Sequence, residues 1–243
     1  MSTTLSSRTA TAKAAAPAAV PPLENGDRLT RKAFLERYRA MPALKKAERI
    51  EGVVYMQAAV RYIQHGGPHS DLVTWMGVYR AATPGVEVGD NSTVLLDLDN
   101  EPQPDAFLRI APACGGQSRT TDAGYVAGAP ELIGEVASSS ASLDLHDKMH
   151  VYRRNGVLEY IVWKVIEHQV EWFRLCEGHY QTVSPDVSGI YHSEVFPGLW
   201  LDADALLGGD LRRVLEVVQR GVATAEHRTF VEKLAKAQRA AGA

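Results

Sequence analysis

Three carboxylates in this sequence sit where burial would be costly. Glu135 interrupts the apolar run from Leu132 to Ala137, Asp105 follows Pro104 and directly precedes Ala106-Phe107-Leu108-Arg109-Ile110, and Glu48 stands just ahead of the apolar residues around Val53-Val54. A carboxylate in such a setting needs a partner, a proton or a metal. Hard divalent ions such as Mg²⁺ take carboxylate oxygens and waters. A metal held by two carboxylates lowers the pKa of a water and stabilises charge during in-line displacement at phosphorus. A lysine beside it can orient that water or offset the developing phosphorane charge. Lys148 is the candidate, because Asp144, Lys148 and Tyr152 recur every fourth residue and so share one helical face. Spacing alone leaves plainer readings open. Asp105 after a proline suits a turn cap, Lys148 suits an i,i+4 salt bridge to Asp144, Tyr152 suits a core, and Glu48 suits a surface acid paired to a lysine.

The elements that must position these residues follow from local pattern. Residues 130 to 163 read as strand, loop, helix, turn, strand. Ser138 to Ser142 is a small polar loop able to cap the next helix, Asn155-Gly156 stops that helix, and Leu158 to Trp163 is rich in β-formers. Apolar, β-branched runs predict strands near Glu48–Tyr55, Thr93–Leu96, Ala106–Ile110, Leu132–Ala137 and Glu159–Val165, all in one sheet. A short amphipathic helix is expected over Thr30–Tyr38 and another from about His69 to Ala82. His65 and His69 have the i,i+4 spacing of a zinc pair. Two glycines and a proline lie between them and argue against a continuous helical turn, which leaves His69 as a helix cap or a cleft residue. Residues 111 to 129 read as a long polar surface loop, and 170 to 183 as a hairpin turning at Glu177-Gly178. Residues 211 to about 240 are helical in pattern.

Composition sets the outer bounds. The chain has 243 residues, enough for one full α/β domain with tails. Its formal net charge of −3 argues against a generally basic nucleic-acid binder, though not against one with a local basic face. Cys114 and Cys176 lie in no CxxC or Cys/His pattern, which suits unpaired thiols in a reducing cytoplasm. No apolar run approaches the roughly 20 residues of a membrane span. Residues 1–22 are rich in Ala, Ser, Thr and Pro, so a disordered tail is expected, a transit peptide being the alternative. Residues 23–209 form the expected domain and 210–243 a C-terminal helical extension.

Several motifs together resemble a known family. Pro104-Asp105, the Glu135-Val-Ala-Ser138 strand, the Asp144…Lys148…Tyr152 helix and the Gly156-Val-Leu-Glu-Tyr160-Ile-Val-Trp163 strand look like the Uma-type restriction-endonuclease family of the PD-(D/E)XK nuclease superfamily. Glu48-Arg-Ile-Glu-Gly52, His69 and Phe196-Pro-Gly-Leu-Trp-Leu201 extend the likeness, in order, over roughly Thr30 to Leu207. The resemblance implies a restriction-endonuclease-like core: a central mixed β-sheet flanked by helices, with metal bound at one strand end. It implies Asp105 and Glu135 as metal ligands and, with Lys148, as the catalytic set. Glu48, His69, Asp144 and Tyr152 would be accessory. The sequence departs from the superfamily at Ala137, where the pattern has lysine, and the resemblance supplies Lys148 from the following helix instead. The implied activity is Mg²⁺-dependent (or Mn²⁺-dependent) hydrolysis of nucleic acid, DNA first, by a cytoplasmic protein with no membrane partner. A homodimer is an open arrangement. The alternative is a nuclease-fold protein that binds nucleic acid or regulates, with little or no cleavage.

Overall fold

The computed structural model describes residues 20–56, 61–138 and 144–242. Helix α1 (Arg31–Arg39) starts at Thr30, whose hydroxyl accepts from the Ala33 N–H. Strands β1 (Ala47–Ile50) and β2 (Val53–Met56) form a hairpin. A π-helical turn, Tyr62–Gly66, runs straight into α2 (Gly67–Ala82). Next come β3 (Val86–Asp90), β4 (Val94–Leu95), β5 (Ala106–Ile110), β6 (Arg119–Thr120), β7 (Val126–Ala127) and β8 (Leu132–Ala137). A second π-helical turn, Asp144–Lys148, leads into α3 (Met149–Asn155), which Gly156 ends in a left-handed conformation. The chain finishes with β9 (Glu159–Lys164), β10 (Gln169–Cys176), β11 (His179–Thr182), β12 (Ile190–His192), β13 (Trp200–Asp202), α4 (Ala203–Leu207), α5 (Leu211–Val222) and α6 (Ala225–Ala241).

The central sheet has six strands in the order β11-β10-β9-β8-β5-β3. Only β8 and β9 run parallel, joined by the crossover that carries α3; the other neighbours are antiparallel. Strand alternation divides β8 between two cores. Leu132 and Val136 pack with Leu72, Trp75, Met76 and Tyr79 of α2. Ile133 and Ala137 pack on the other face with Val151, Tyr152 and Tyr160. Gly134 lies between, and a Cβ there would come within 3.1 Å of Leu72 and Met76, so its bare backbone lets α2 lie close on the sheet. Val214, Val218, Phe230 and Leu234 of the C-terminal helices join the α2 core.

Several expectations change. The segments around Glu48–Tyr55 and Thr93–Leu96 are β-structure but not part of the central sheet. The β1–β2 hairpin stands alone and packs Ala47 and Val54 against Phe34, while β4 pairs with β7 in a small three-stranded sheet. Residues 111–129 are not all surface loop: they contain β6 and β7 and bury Cys114, Ser118 and Val126. The chain does not break between His65 and His69. The N–H groups of His65 and Gly66 both donate to the Arg61 carbonyl, and Pro68 falls in the first turn of α2, where a missing N–H costs nothing. The disordered tail expected over residues 1–22 lies outside the described residues but for its last three. Both cysteines are free thiols. Among the described residues no helix is long and apolar enough to cross a membrane.

One carboxylate ties the end of this domain to the sheet. Glu159 opens β9 and accepts from the Ser193 hydroxyl (2.6 Å) and the N–H groups of Glu194 (2.9 Å) and Val195 (3.3 Å). Ser193 Oγ in turn accepts from the Phe196 N–H, which helps set that ring edge-on to Tyr79. Burial pushes Glu159 from 4.5 up to about 7, against the pull of these hydrogen bonds. An acid with a raised folded pKa holds more protons folded than unfolded. Its contribution to stability is therefore fully present below pH 4.5 and is lost as pH rises through 7. Roughly 3 kcal/mol is involved. In urea unfolding followed from pH 5 to 8, wild type is expected to lose stability relative to Glu159→Gln as pH rises. A difference that does not vary with pH would contradict the assignment.

Candidate active site

The site begins with strand register. β5 and β8 are antiparallel with Ala106 opposite Gly134, so the next step sets Asp105 beside Glu135. The two are laced together reciprocally. The Asp105 N–H donates to Glu135 Oε2 (3.2 Å), and the Val136 N–H donates to Asp105 Oδ2 (2.9 Å). Alternation along β8 turns Glu135 toward the face covered by α3. From that helix and the π-turn before it, Lys148 Nζ and the Tyr152 hydroxyl both donate to Glu135 Oε1, at 2.9 and 2.8 Å. Lys148 Nζ also lies 3.0 Å from Glu48 Oε1 and 3.4 Å from Asp144 Oδ1. Glu48 arrives on β1 and accepts from the Gln103 N–H at 2.7 Å.

A second ammonium serves Asp105. Lys46 Nζ is 2.8 Å from Asp105 Oδ1 and 3.2 Å from Asn91 Oδ1. The rings of His65 and His69 stack with centroids 5.6 Å apart. His65 Nδ1–H donates to the Val136 carbonyl, and Nε2 is 3.6 Å from Asp105 Oδ1. His69 Nε2–H faces the Asp105 carbonyl and Asp90 Oδ1, both at 2.9 Å. Glu48, Asp105, Glu135, Asp144, Lys46, Lys148 and His65 are all buried, whereas Asp90 and Asn91 form an exposed rim.

This geometry coincides with a family match. The model of a family described as "Uma2: Putative restriction endonuclease" matches residues 34–204. The chain belongs to the Uma2 family. Among solved structures it is similar in fold to a putative nuclease belonging to DUF820 from Anabaena variabilis, with a TM-score of 0.50 and 15% identity. That alignment covers 71% of this chain and 98% of the other. No curated protein matches this chain.

The charges in this Uma2 site oppose one another. Burial pushes Glu135 up to about 8; Lys148 pulls the other way, and the neighbouring Asp105 and Asp144 add to the rise. Burial also works against ionised Asp105, but Lys46 foremost, with His65 and Lys148, outweighs it and holds that carboxyl below its usual range. Burial would lower Lys148, yet Glu135, Glu48, Tyr152 and Asp144 keep it charged, well above the usual lysine range. The result is two adjacent carboxyls whose affinities for protons are pushed apart, Asp105 down and Glu135 up.

The structure gathers Asp105, Glu135, Lys148, Glu48, Asp144 and Tyr152 into one network, with His69 at its edge. Lys148 is both the salt-bridge partner of Asp144 and a donor to Glu135, so the two sequence readings of it are compatible. Ala137, where the superfamily pattern has lysine, is fully buried on the Glu135 face. Sequence reasoning missed Lys46, because the pair Lys45-Lys46 looks like solvated surface. It did not place His65 in the site, because the Gly-Gly-Pro that follows reads as a break. Most of the Ser138–Ser142 loop lies outside the described residues. Among the described residues no three His, Cys, Asp or Glu side chains are disposed to hold a metal ion; ammoniums and N–H groups face the carboxylates instead.

Lys148→Met tests this network directly. It leaves Glu48, Glu135 and Asp144 without their shared ammonium, and a broken buried pair costs on the order of 3–5 kcal/mol. The remaining acids then gain affinity for protons, so the folded variant takes up protons that the unfolded chain does not. Its deficit against wild type is expected to be large at pH 8 and smaller at pH 6, measured by urea unfolding. Equal deficits at both values would mean that Lys148 does not compensate those carboxylates.

Proposed function

We propose that this Uma2 protein is a divalent-metal-dependent endonuclease that hydrolyses phosphodiester bonds in nucleic acid, with DNA as the first substrate to try. The observation that carries the reading is the meeting of Asp105, Glu135 and Lys148 within hydrogen-bond reach, although Asp105 and Glu135 are 30 residues apart in sequence. No three acid or imidazole side chains among the described residues converge on one point, so the reading rests on two carboxylates, with waters to complete the shell of a hard ion. Four buried carboxylates (Glu48, Asp105, Glu135 and Asp144) face two lysines, Lys46 and Lys148. Ionised, the four outnumber the two ammoniums, and Mg²⁺ or Mn²⁺ takes oxygen donors of this kind.

Asp105 and Glu135 would hold the ion. When bound, it supplies an activated water and charge stabilisation at phosphorus. The remaining work falls to the side chains. Lys148, fixed by Glu48 and Asp144, presents an ammonium to the charge that develops on the phosphate. Tyr152 pins Glu135 Oε1, so the carboxylate keeps one orientation. His69 holds the Asp105 carbonyl and with it the turn from which Asp105 projects. Burial favours the protonated form of Glu135, so a proton there competes with ligation.

The second reading, a nuclease-fold protein that binds nucleic acid without cutting it, draws on two observations. The carboxylates are already paired, and Ala137 stands where the superfamily has lysine. Calorimetric titration with Mn²⁺, run beside cleavage of DNA and RNA substrates, separates the two. The proton on Glu135 competes with the ion, so metal affinity is expected to rise up to about tenfold per pH unit below 8 and to level off above it. Glu135→Gln is expected to lose both the affinity and the slope. Lys148→Met is expected to bind metal at least as well as wild type while cleavage falls by roughly 10²–10³-fold. Metal binding without cleavage of any substrate would favour the binding protein. No metal binding at any pH would defeat the metal-dependent reading.

A further inference from the structure

We infer that Lys46 is a built-in competitor of the divalent ion: its ammonium and the metal exchange at Asp105 Oδ1. This rests on the metal-dependent reading above and concerns how that site is filled. The two oxygens of Asp105 have different commitments. Oδ2 accepts from the Val136 N–H at 2.9 Å, a backbone contact fixed by the sheet. Oδ1 faces Lys46 Nζ at 2.8 Å, with His65 Nε2 farther off at 3.6 Å. An ion that ligates Asp105 therefore meets Lys46 first. An ammonium and a divalent cation on one oxygen would repel strongly in so buried a place, so one must yield.

Lys46 has somewhere to go. Its second acceptor, Asn91 Oδ1, is 3.2 Å away and belongs to an exposed residue just past the end of β3. Four methylenes let the ammonium swing toward that rim while remaining solvated or hydrogen-bonded. Among the described residues Lys148 has no comparable exit. It is 3% exposed and faces Glu48, Glu135 and Asp144 together. The two lysines thus have separate duties: Lys148 is fixed, and Lys46 keeps Asp105 compensated until a stronger cation takes its place.

The test reads Lys46 itself. Full-length protein is treated briefly with an amine-reactive reagent, with and without saturating Mn²⁺, and each lysine is followed by mass spectrometry. Labelling of Lys46 is expected to rise several-fold with Mn²⁺ while Lys148 stays protected. In parallel, Lys46→Met is expected to bind Mn²⁺ at least about tenfold tighter than wild type, and Lys46→Arg no tighter than wild type. The labelling arm uses wild type, so it stands even if Lys46→Met folds poorly. If Mn²⁺ binds wild type and Lys46 labelling does not change, the exchange is refuted while the metal site stands. If neither wild type nor Lys46→Met binds Mn²⁺, the metal-dependent reading falls and takes the exchange with it. Binding by Lys46→Met alone would overturn the exchange, because the ammonium would then hold Asp105 Oδ1 against the ion in the native protein.

Discussion

A carboxylate placed inside a central strand is the constraint on which this structure turns. Glu135 sits in β8 with a sheet neighbour on each side and a helix over its face, and it is 2% exposed. Water cannot solvate it there, so the protein must. Three different elements answer: the backbone before β5 gives an N–H, the π-turn gives an ammonium, and α3 gives a phenol. Each donor brings a need of its own. The ammonium of Lys148 must be balanced, which draws in Glu48 from the separate hairpin and Asp144 from one turn back. Asp105, pressed beside Glu135 by register, needs Lys46. A single buried carboxylate thus recruits residues from four other places in the chain, and the fold around it is the one that brings those places together.

Much of this was legible in the sequence, for physical reasons that differ from residue to residue. Glu135 was legible because an acid in a six-residue apolar run has no ordinary structural use. Asp144, Lys148 and Tyr152 were legible because four-residue spacing survives the π-turn well enough to keep them on one side. The central strands β5, β8 and β9 were legible because both of their faces are buried, which writes an apolar run. The hairpin at Glu177-Gly178 and the shared sheet of β5, β8 and β9 were legible too, but the sheet each short strand joins was not. β1 and β4 look like any short strand, and their separation from the main sheet depends on the partners they pack or pair with, Phe34 for one and Val126 for the other. Lys46 was hidden for a related reason. A lysine declares its burial only through the acid it meets, and that acid lies 59 residues away.

The two π-turns mark where local preference gives way to the site. One carries His65, the other Asp144 and Lys148, and each opens directly into an α-helix. A π-turn widens the helix and shifts the angle at which a side chain leaves it. Here both lie on chain that flanks β8. Regular α-helix in their place would carry His65 and Lys148 round the axis, away from Val136 and Glu135. Pro68 and Gly67, which read as breakers in the sequence, instead permit the junction between the first π-turn and α2.

The balance of charge in this site bears on what it can do. A network built only to stabilise a fold gains by matching its charges, and hydrophobic replacements are often better still. This one buries four acids beside two lysines and His65, and burial pushes Glu135 up to about 8. On the metal-dependent reading proposed above, a doubly charged cation would complete the set, supplying positive charge and taking the oxygen of Glu135 in place of a proton. The surplus acid, more than the presence of any one residue, is what sets this arrangement apart from a buried salt bridge.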